Sequence, residues 1–262
     1  MLRPRIIPCL LIKDKGLVKT VNFKDGKYVG DPINAVRIFN EKLSDELMVL
    51  DIDASVKKVE PDFTTIEKIA SECRMPLCYG GGIKNVEHAQ RIFSLGVEKI
   101  ALSSAAIENP SLVTKIAEKV GIQSVVVVLD VKKKFFGGYE VMTYNGKKSH
   151  AKNPLDLVAE FQKLGAGEIV INSIDRDGTL KGYDFEIIEK IRKTTTLPVT
   201  ALGGAGSIED MGALIQKFGI IGASAGSLFV FRGKYKAVLI SYPEPNIKKD
   251  LLHKYYPQLK DE

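Results

Sequence analysis

The sequence predicts a single (β/α)8 barrel, an α/β fold assembled from two repeated half-barrels. Short runs rich in Val, Ile and Leu alternate with segments of helical spacing along the whole chain. A length of 262 residues suits eight such pairs. The chain also repeats itself. Tyr79-Gly80-Gly81-Gly82 is followed by Ala101-Leu102-Ser103-Ser104-Ala105-Ala106, and just under half a chain later Ala201-Leu202-Gly203-Gly204-Ala205-Gly206 is followed by Gly222-Ala223-Ser224-Ala225-Gly226-Ser227. A doubly wound sheet shares the alternation but leaves the repeat unexplained. The half-barrels fall at about residues 1–120 and 121–250 of the one domain, 1–262.

Strands are expected at residues 6–12, 47–52, 77–79, 99–102, 124–131, 169–172, 199–202 and 220–223. The run Val125-Val126-Val127-Val128-Leu129 has no polar face, as a parallel strand buried on both sides requires. Helical spacing marks residues 32–41, 63–73, 86–94, 110–120, 154–163, 185–193 and 208–217. Asn109-Pro110 and Asn153-Pro154 read as helix starts, an Asn able to cap followed by a Pro that fits the first turn. Two stretches break the alternation. Residues 13–30 form a polar, glycine-containing loop after the first strand, and residues 132–153 include a small hairpin at 139–144. Long loops at the C-terminal strand ends of a barrel are lids or substrate clamps. Residues 250–262 read as a polar final helix or tail.

Composition narrows the classes. The chain is 45% hydrophobic and 27% charged, an ordinary globular balance. Cys9, Cys73 and Cys78 have no metal-like spacing and read as reduced thiols of a cytoplasmic protein. The N-terminus resembles no secretory signal, and no apolar run reaches membrane-spanning length, so no membrane partner is expected. The net charge of +6 comes from dispersed lysines without interleaved aromatics or any Trp, which fits an anionic small substrate better than nucleic acid. His88, His150 and His253 fall in helix, loop and tail, so no metal site, cofactor or His-based triad is expected.

In such a barrel the C-terminal strand ends carry the chemistry. Taken in order, those ends supply Leu11 and Lys13, Asp51 and Asp53, Gly81 and Gly82, and Ser103 and Ser104. The second half supplies Asp130 and Lys132, Asn172 with Asp175 and Asp177, Gly203 and Gly204, and Ala225, Gly226 and Ser227. Glycine and small-residue turns let backbone N–H groups approach a phosphate closely. Two paired turns imply a ligand with a phosphate at each end. The carboxylates between them suit acid–base work, because close carboxylates push one another's pKa values apart. Asp130 ends an apolar run and asks for a reason, whereas the alternative for Asp175 and Asp177 is merely to hold Arg176.

At these residues the chain resembles the cyclase subunit of imidazole glycerol phosphate synthase, the HisF family of TIM barrels, over essentially its whole length. The resemblance rests on RIIPCL at 5–10 with Lys13-Asp14, GDP at 30–32, DELMVLDI at 45–52 and YGGGI at 79–83. It continues through AAIENPSL at 105–112, VVVVLD at 125–130, SIDRDGTLKGYD at 173–184 and LGGAG at 202–206. It implies a lyase that joins ammonia to a bisphosphorylated ribulosyl precursor (PRFAR), giving imidazole glycerol phosphate and AICAR in histidine biosynthesis. By resemblance Gly82 and Ser104 hold one phosphate, and Gly178, Gly204, Gly226 and Ser227 the other. Asp130 matches one of two catalytic carboxylates, and Lys19 the residue that helps close the site. Arg5, Glu46, Lys99 and Glu168 match the charged gate at the opposite barrel end, where ammonia enters from a docked glutaminase (HisH-like) subunit. A structural ring of ion pairs would use the same four residues.

The departure is instructive. The family's other catalytic carboxylate lies two residues after Cys9, where this chain has Leu11, which handles no proton. Ser103 and Asp53 also replace family residues, and Asp53 could relay a proton from the next strand. PRIIPCLLIKD, KTVNFKD and LDIDAS look more like a paralogous branch encoded with surface-polysaccharide (lipopolysaccharide) genes, which works with its own glutaminase and a sugar-specific enzyme. There ammonia converts a sugar N-acetyl group to acetamidino. This is the expected function. The alternatives are an ordinary cyclase and a non-catalytic phosphate-binding scaffold that activates glutaminase and conducts ammonia.

Overall fold

A computed structural model describes residues 3–258. Eight parallel strands close into a barrel: β1 (Arg5–Lys13), β2 (Leu47–Asp51), β3 (Leu77–Gly80), β4 (Lys99–Leu102), β5 (Val125–Lys133), β6 (Glu168–Ser173), β7 (Val199–Leu202) and β8 (Gly222–Ala225). Each pairs with its neighbour in sequence, and the two halves join where β4 pairs with β5 and where β8 pairs with β1. A closed ring leaves no open barrel edge.

The alternation of side chains sorts two cores. Outward-facing residues such as Ile6, Leu10, Val49, Val127 and Ile171 pack under the helices. Inward-facing ones fill the lumen, with Ile7, Cys9, Met48, Cys78, Val126, Val128 and Val170 buried and Leu11 and Leu50 at its margin. The expected helices are present, and an eighth at Pro245–Tyr255 begins earlier than the tail predicted for residues 250–262, of which 259–262 lie outside the described residues. Asn153 caps its helix, accepting from the Leu155 N–H at 3.0 Å. Asn109 does not cap. It terminates the short helix Ser104–Glu108, and the next helix starts at Ser111.

The stretch 13–30, expected as a loop, is instead an antiparallel hairpin, Gly16–Val21 with Lys24–Gly30, built onto the end of β1. Its apolar residues Leu17, Val18 and Val29 bury themselves, and Asn22 and Phe23 turn the chain with φ of 51° and 62°. The expected hairpin after β5 is present as Tyr139–Thr143 and Lys148–His150, with the first strand pairing back on β5. Both hairpins therefore stand at the C-terminal end of the barrel.

Phe39, on the helix Pro32–Glu41, is fully buried and meets Phe229 and Tyr242 edge-on at 6.5 and 6.3 Å. It ties the first helix to the chain after β8. The Phe39→Ala substitution should cost about 3–5 kcal/mol, measured as a lowered urea midpoint, and an unchanged midpoint would contradict this packing role.

Candidate active site

The C-terminal mouth holds a deep cavity. Gly81 and Gly82 after β3 line it beside Ser103 and Ser104 after β4; Gly203 and Gly204 after β7 line it beside Ala225, Gly226 and Ser227 after β8, with Gly178 from the loop after β6. The two glycine turns are built alike. At Gly81 (φ 123°) a side chain would strike the Asp51 backbone, and at Gly203 (φ 95°) it would meet the Ser173 carbonyl at 2.7 Å. Only glycine fits such positions without strain. Backbone N–H groups at turns of this kind are suited to phosphate oxygens.

Asp130 stands between the turns at the end of β5. Asn172, its register partner on β6, donates through Nδ2 to Asp130 Oδ1 at 2.8 Å, and Ser103 Oγ reaches Oδ2 at 3.5 Å. Burial pushes this carboxyl up to about 7, against the opposing hydrogen bonds and with a further rise from Asp177. It can exchange a proton near neutrality. Asn172 keeps its own Oδ1 buried and without a hydrogen-bond partner among the described residues.

The other two carboxylates are engaged. Asp51 Oδ1 accepts the N–H groups of Asp53 and Ala54 at 3.0 and 3.1 Å, and burial raises its pKa. Asp177 Oδ2 accepts from Thr20 Oγ1 at 2.7 Å and from the Phe23 N–H at 3.3 Å, and burial raises it as well. Asp177 thus fastens the hairpin over the mouth, and Asn22 adds a bond to the Ile174 carbonyl at 2.9 Å. Neither Asp175 nor Asp177 holds Arg176, which reaches the Lys181 carbonyl; Asp175 accepts from the Lys133 N–H at 2.7 Å.

Lys19 lies inside, 4% exposed, its amine on the Cys9 carbonyl and against Gly226, where any side chain would collide with it. Burial lowers its pKa. Leu11 lines the cavity beside its register partner Leu50, with Cys9, Val128 and Leu202 nearby on the same wall. The wall around Leu11 is therefore apolar, while Lys19, Asp51, Asp130 and Asp177 also line the cavity. Asp53 is not brought to the cavity. Its carboxylate pairs with Lys57 at 2.7 Å, the same lysine that holds Asp14, so it does not replace the acid absent at Leu11. Phe23 and Asn145 line the cavity although neither was singled out as a site residue, and Gly146 lies against the Phe23 ring. Phe23 falls within KTVNFKD, whereas the only signal for Asn145 was the length of its loop.

At the opposite end the four predicted gate residues meet. Arg5 bonds Glu46 and, at 2.7 Å, Glu168; Lys99 reaches Glu46 at 3.0 Å and Glu168 at 3.1 Å. Thr200 Oγ1 donates to Glu168 at 2.6 Å. Burial works against both cations, yet Glu168 and Glu46 outweigh it and hold Arg5 and Lys99 above their usual range. Glu168 is held low by Arg5 and Lys99 despite its burial.

A family model described as histidine biosynthesis protein matches residues 5–236. A Vibrio vulnificus protein provisionally named imidazole glycerol phosphate synthase subunit hisF3 is 59% identical over 253 residues, covering 96% of this chain and 97% of that protein. The provisionally named subunit hisF2 of Pseudomonas aeruginosa is 54% identical over 246 residues, covering 94% and 98%. The imidazole glycerol phosphate synthase subunit HisF of a Thermotoga strain is 43% identical over 234 residues, covering 88% and 91%.

The environment of Asp130 has a pH signature. Its carboxyl titrates near 7 when folded against an ordinary 3.8, so the folded chain keeps a proton that the unfolded chain releases. Stability from this group is full below about pH 4 and is lost as pH rises through about 7, by at most about 4 kcal/mol. Urea melts at pH 5 and pH 8 should differ less for Asp130→Asn than for the parent. An identical difference would contradict the assignment.

Proposed function

The chain belongs to the histidine biosynthesis protein family and, within it, to the HisF-like group, and from that premise we propose that it is the ammonia-using subunit of a glutamine amidotransferase complex with a changed acceptor. The observation that carries this reading is Leu11. It lines the cavity where the family resemblance places a catalytic acid, and Asp53, the candidate replacement on the next strand, is tied to Lys57 instead. Loss of one positioned acid or base commonly costs about 10²–10⁴-fold in rate.

The remaining apparatus favours ammonia chemistry. A glutaminase docked on the N-terminal face would deliver ammonia at the ring of Arg5, Glu46, Lys99 and Glu168. Beyond the ring the lumen is apolar, with Ile7, Met48, Cys78, Val126 and Val170. Neutral ammonia crosses such a lining far more cheaply than ammonium, whose charge would be stripped of water. At the mouth, the paired turns would hold phosphate groups of the acceptor and Asp130 would take up or return a proton. The acceptor that fits is a phosphate-bearing sugar with an N-acetyl group, whose methyl packs against Leu11 and Leu50. Replacing the amide oxygen by nitrogen gives an acetamidino group. That oxygen leaves only after activation, which a partner enzyme consuming a nucleoside triphosphate would supply.

Retention of Asp130 and both glycine turns favours a second reading, a conventional cyclase. The two separate in one assay. With an ammonium salt, the purified chain should turn over the cyclase precursor at least about 100-fold more slowly than a HisF subunit carrying the acid, and Leu11→Asp should recover activity. Robust turnover by the parent chain would overturn the proposal. In the complete complex, Asp130→Asn and Lys99→Ala should each lower product formation. Loss confined to Lys99→Ala would mean that the barrel conducts ammonia without doing chemistry.

A further inference from the structure

The hairpin after β5 ends in residues that the mouth does not use. Between β5 and Tyr139–Thr143 the chain reads Lys132-Lys133-Lys134-Phe135-Phe136-Gly137-Gly138. Phe135 and Phe136 are 96% and 98% exposed, their rings edge-on at 5.1 Å. Side chains added at Gly137 or Gly138 would meet nothing within 4 Å, so the tip projects clear of the body. Lys133 is paired with Glu186, whereas Lys132 and Lys134 form no ion pair among the described residues. A second tip follows β8: the hairpin Phe231–Arg232 with Ala237–Val238 carries Gly233-Lys234-Tyr235-Lys236, with Tyr235 90% exposed. Arg232, Lys234 and Lys236 also lack ion pairs among the described residues. The first tip continues from the end of β5, and the second follows β8 after the short helix Ser227–Val230.

We propose that this end of the barrel docks on an anionic lipid surface, with Phe135 and Phe136 seated among the headgroups and the neighbouring lysines on their charges. Shape favours lipid over a rigid partner. Two aromatic rings at a convex tip offer about 300–500 Å², well short of the roughly 800 Å² per side of a stable protein interface. A soft medium, by contrast, surrounds a convex tip on every side. Charge favours an anionic surface. Around the aromatics Glu186 is paired with Lys133 and Lys190 and Glu108 with Lys148, while Glu140 stands opposite Lys132 in register; residues 231–238 carry Arg232, Lys234 and Lys236 with no carboxylate, so the cationic surplus is greatest at the second tip. Apolar insertion combined with a basic cluster is the two-signal arrangement that reversible membrane attachment needs. No helix of the described residues is long and apolar enough to cross a membrane. The expectation of no membrane partner rested on the lack of a spanning stretch, and peripheral docking needs none. The inference is independent of the acceptor.

The chain contains no Trp, which makes the test direct. Phe136→Trp installs a single tryptophan at the tip. Its emission should shift to the blue with phosphatidylglycerol vesicles and stay unchanged with phosphatidylcholine vesicles. The parent chain should co-sediment with the anionic vesicles, less so at high salt. Changing both Lys132 and Lys134 to Gln should weaken binding roughly twentyfold, and Phe135→Ser with Phe136→Ser at least about tenfold, with thermal melts unchanged. An unshifted tryptophan on anionic vesicles, sedimentation indifferent to the serine pair, or protection of the tip only by a soluble protein would each overturn the proposal.

Discussion

Every side chain that points into a closed eight-stranded ring must either be buried by its neighbours or be answered by an opposite charge, and that requirement organises this molecule. The period of two along β1 carries Arg5, Ile7, Cys9 and Leu11 in one column from the N-terminal ring to the mouth. Along β6 it carries Glu168, Val170 and Asn172, in register with Val126, Val128 and Asp130 of β5. A single-residue slip of any strand would drive charges into the helix layer and valines into the cavity. The ring of ion pairs and the carboxylate near neutrality are thus two ends of one register.

The charged ring illustrates how a costly arrangement can persist. Glu46 and Glu168 are almost wholly buried, and the desolvation of two carboxylates is repaid only because each faces both Arg5 and Lys99. Such a cluster gives little net stability over well-packed apolar residues. It does set four interlocked charges across the N-terminal end of the lumen.

Much of this was legible in the sequence. The barrel followed from alternation and repeat, and the cavity-lining glycines and serines followed from residue types at strand ends. Leu11 could be placed at the mouth because strand periodicity fixes direction. What escaped was decided by contacts distant in sequence. The stretch 13–30 looked like a loop because its turns, at Asp14-Lys15 and Asn22-Phe23, break the strand pattern, yet Leu17 and Val18 are buried once paired. Asp53 looked free for proton transfer until Lys57, one helical turn on, claimed it. Asn109 had the composition of a cap but sits between two helices whose boundary lies at Pro110.

The bond from Thr20 to Asp177 also sets a limit on timing. While the hairpin is fastened, that carboxylate is committed to a hydroxyl and a main-chain amide from the cover itself. Both bonds fall on Oδ2, so the latch uses one oxygen of the carboxylate. Were the hairpin to lift, both bonds to that oxygen would break together, so uncovering the chamber and freeing this carboxylate would be one event.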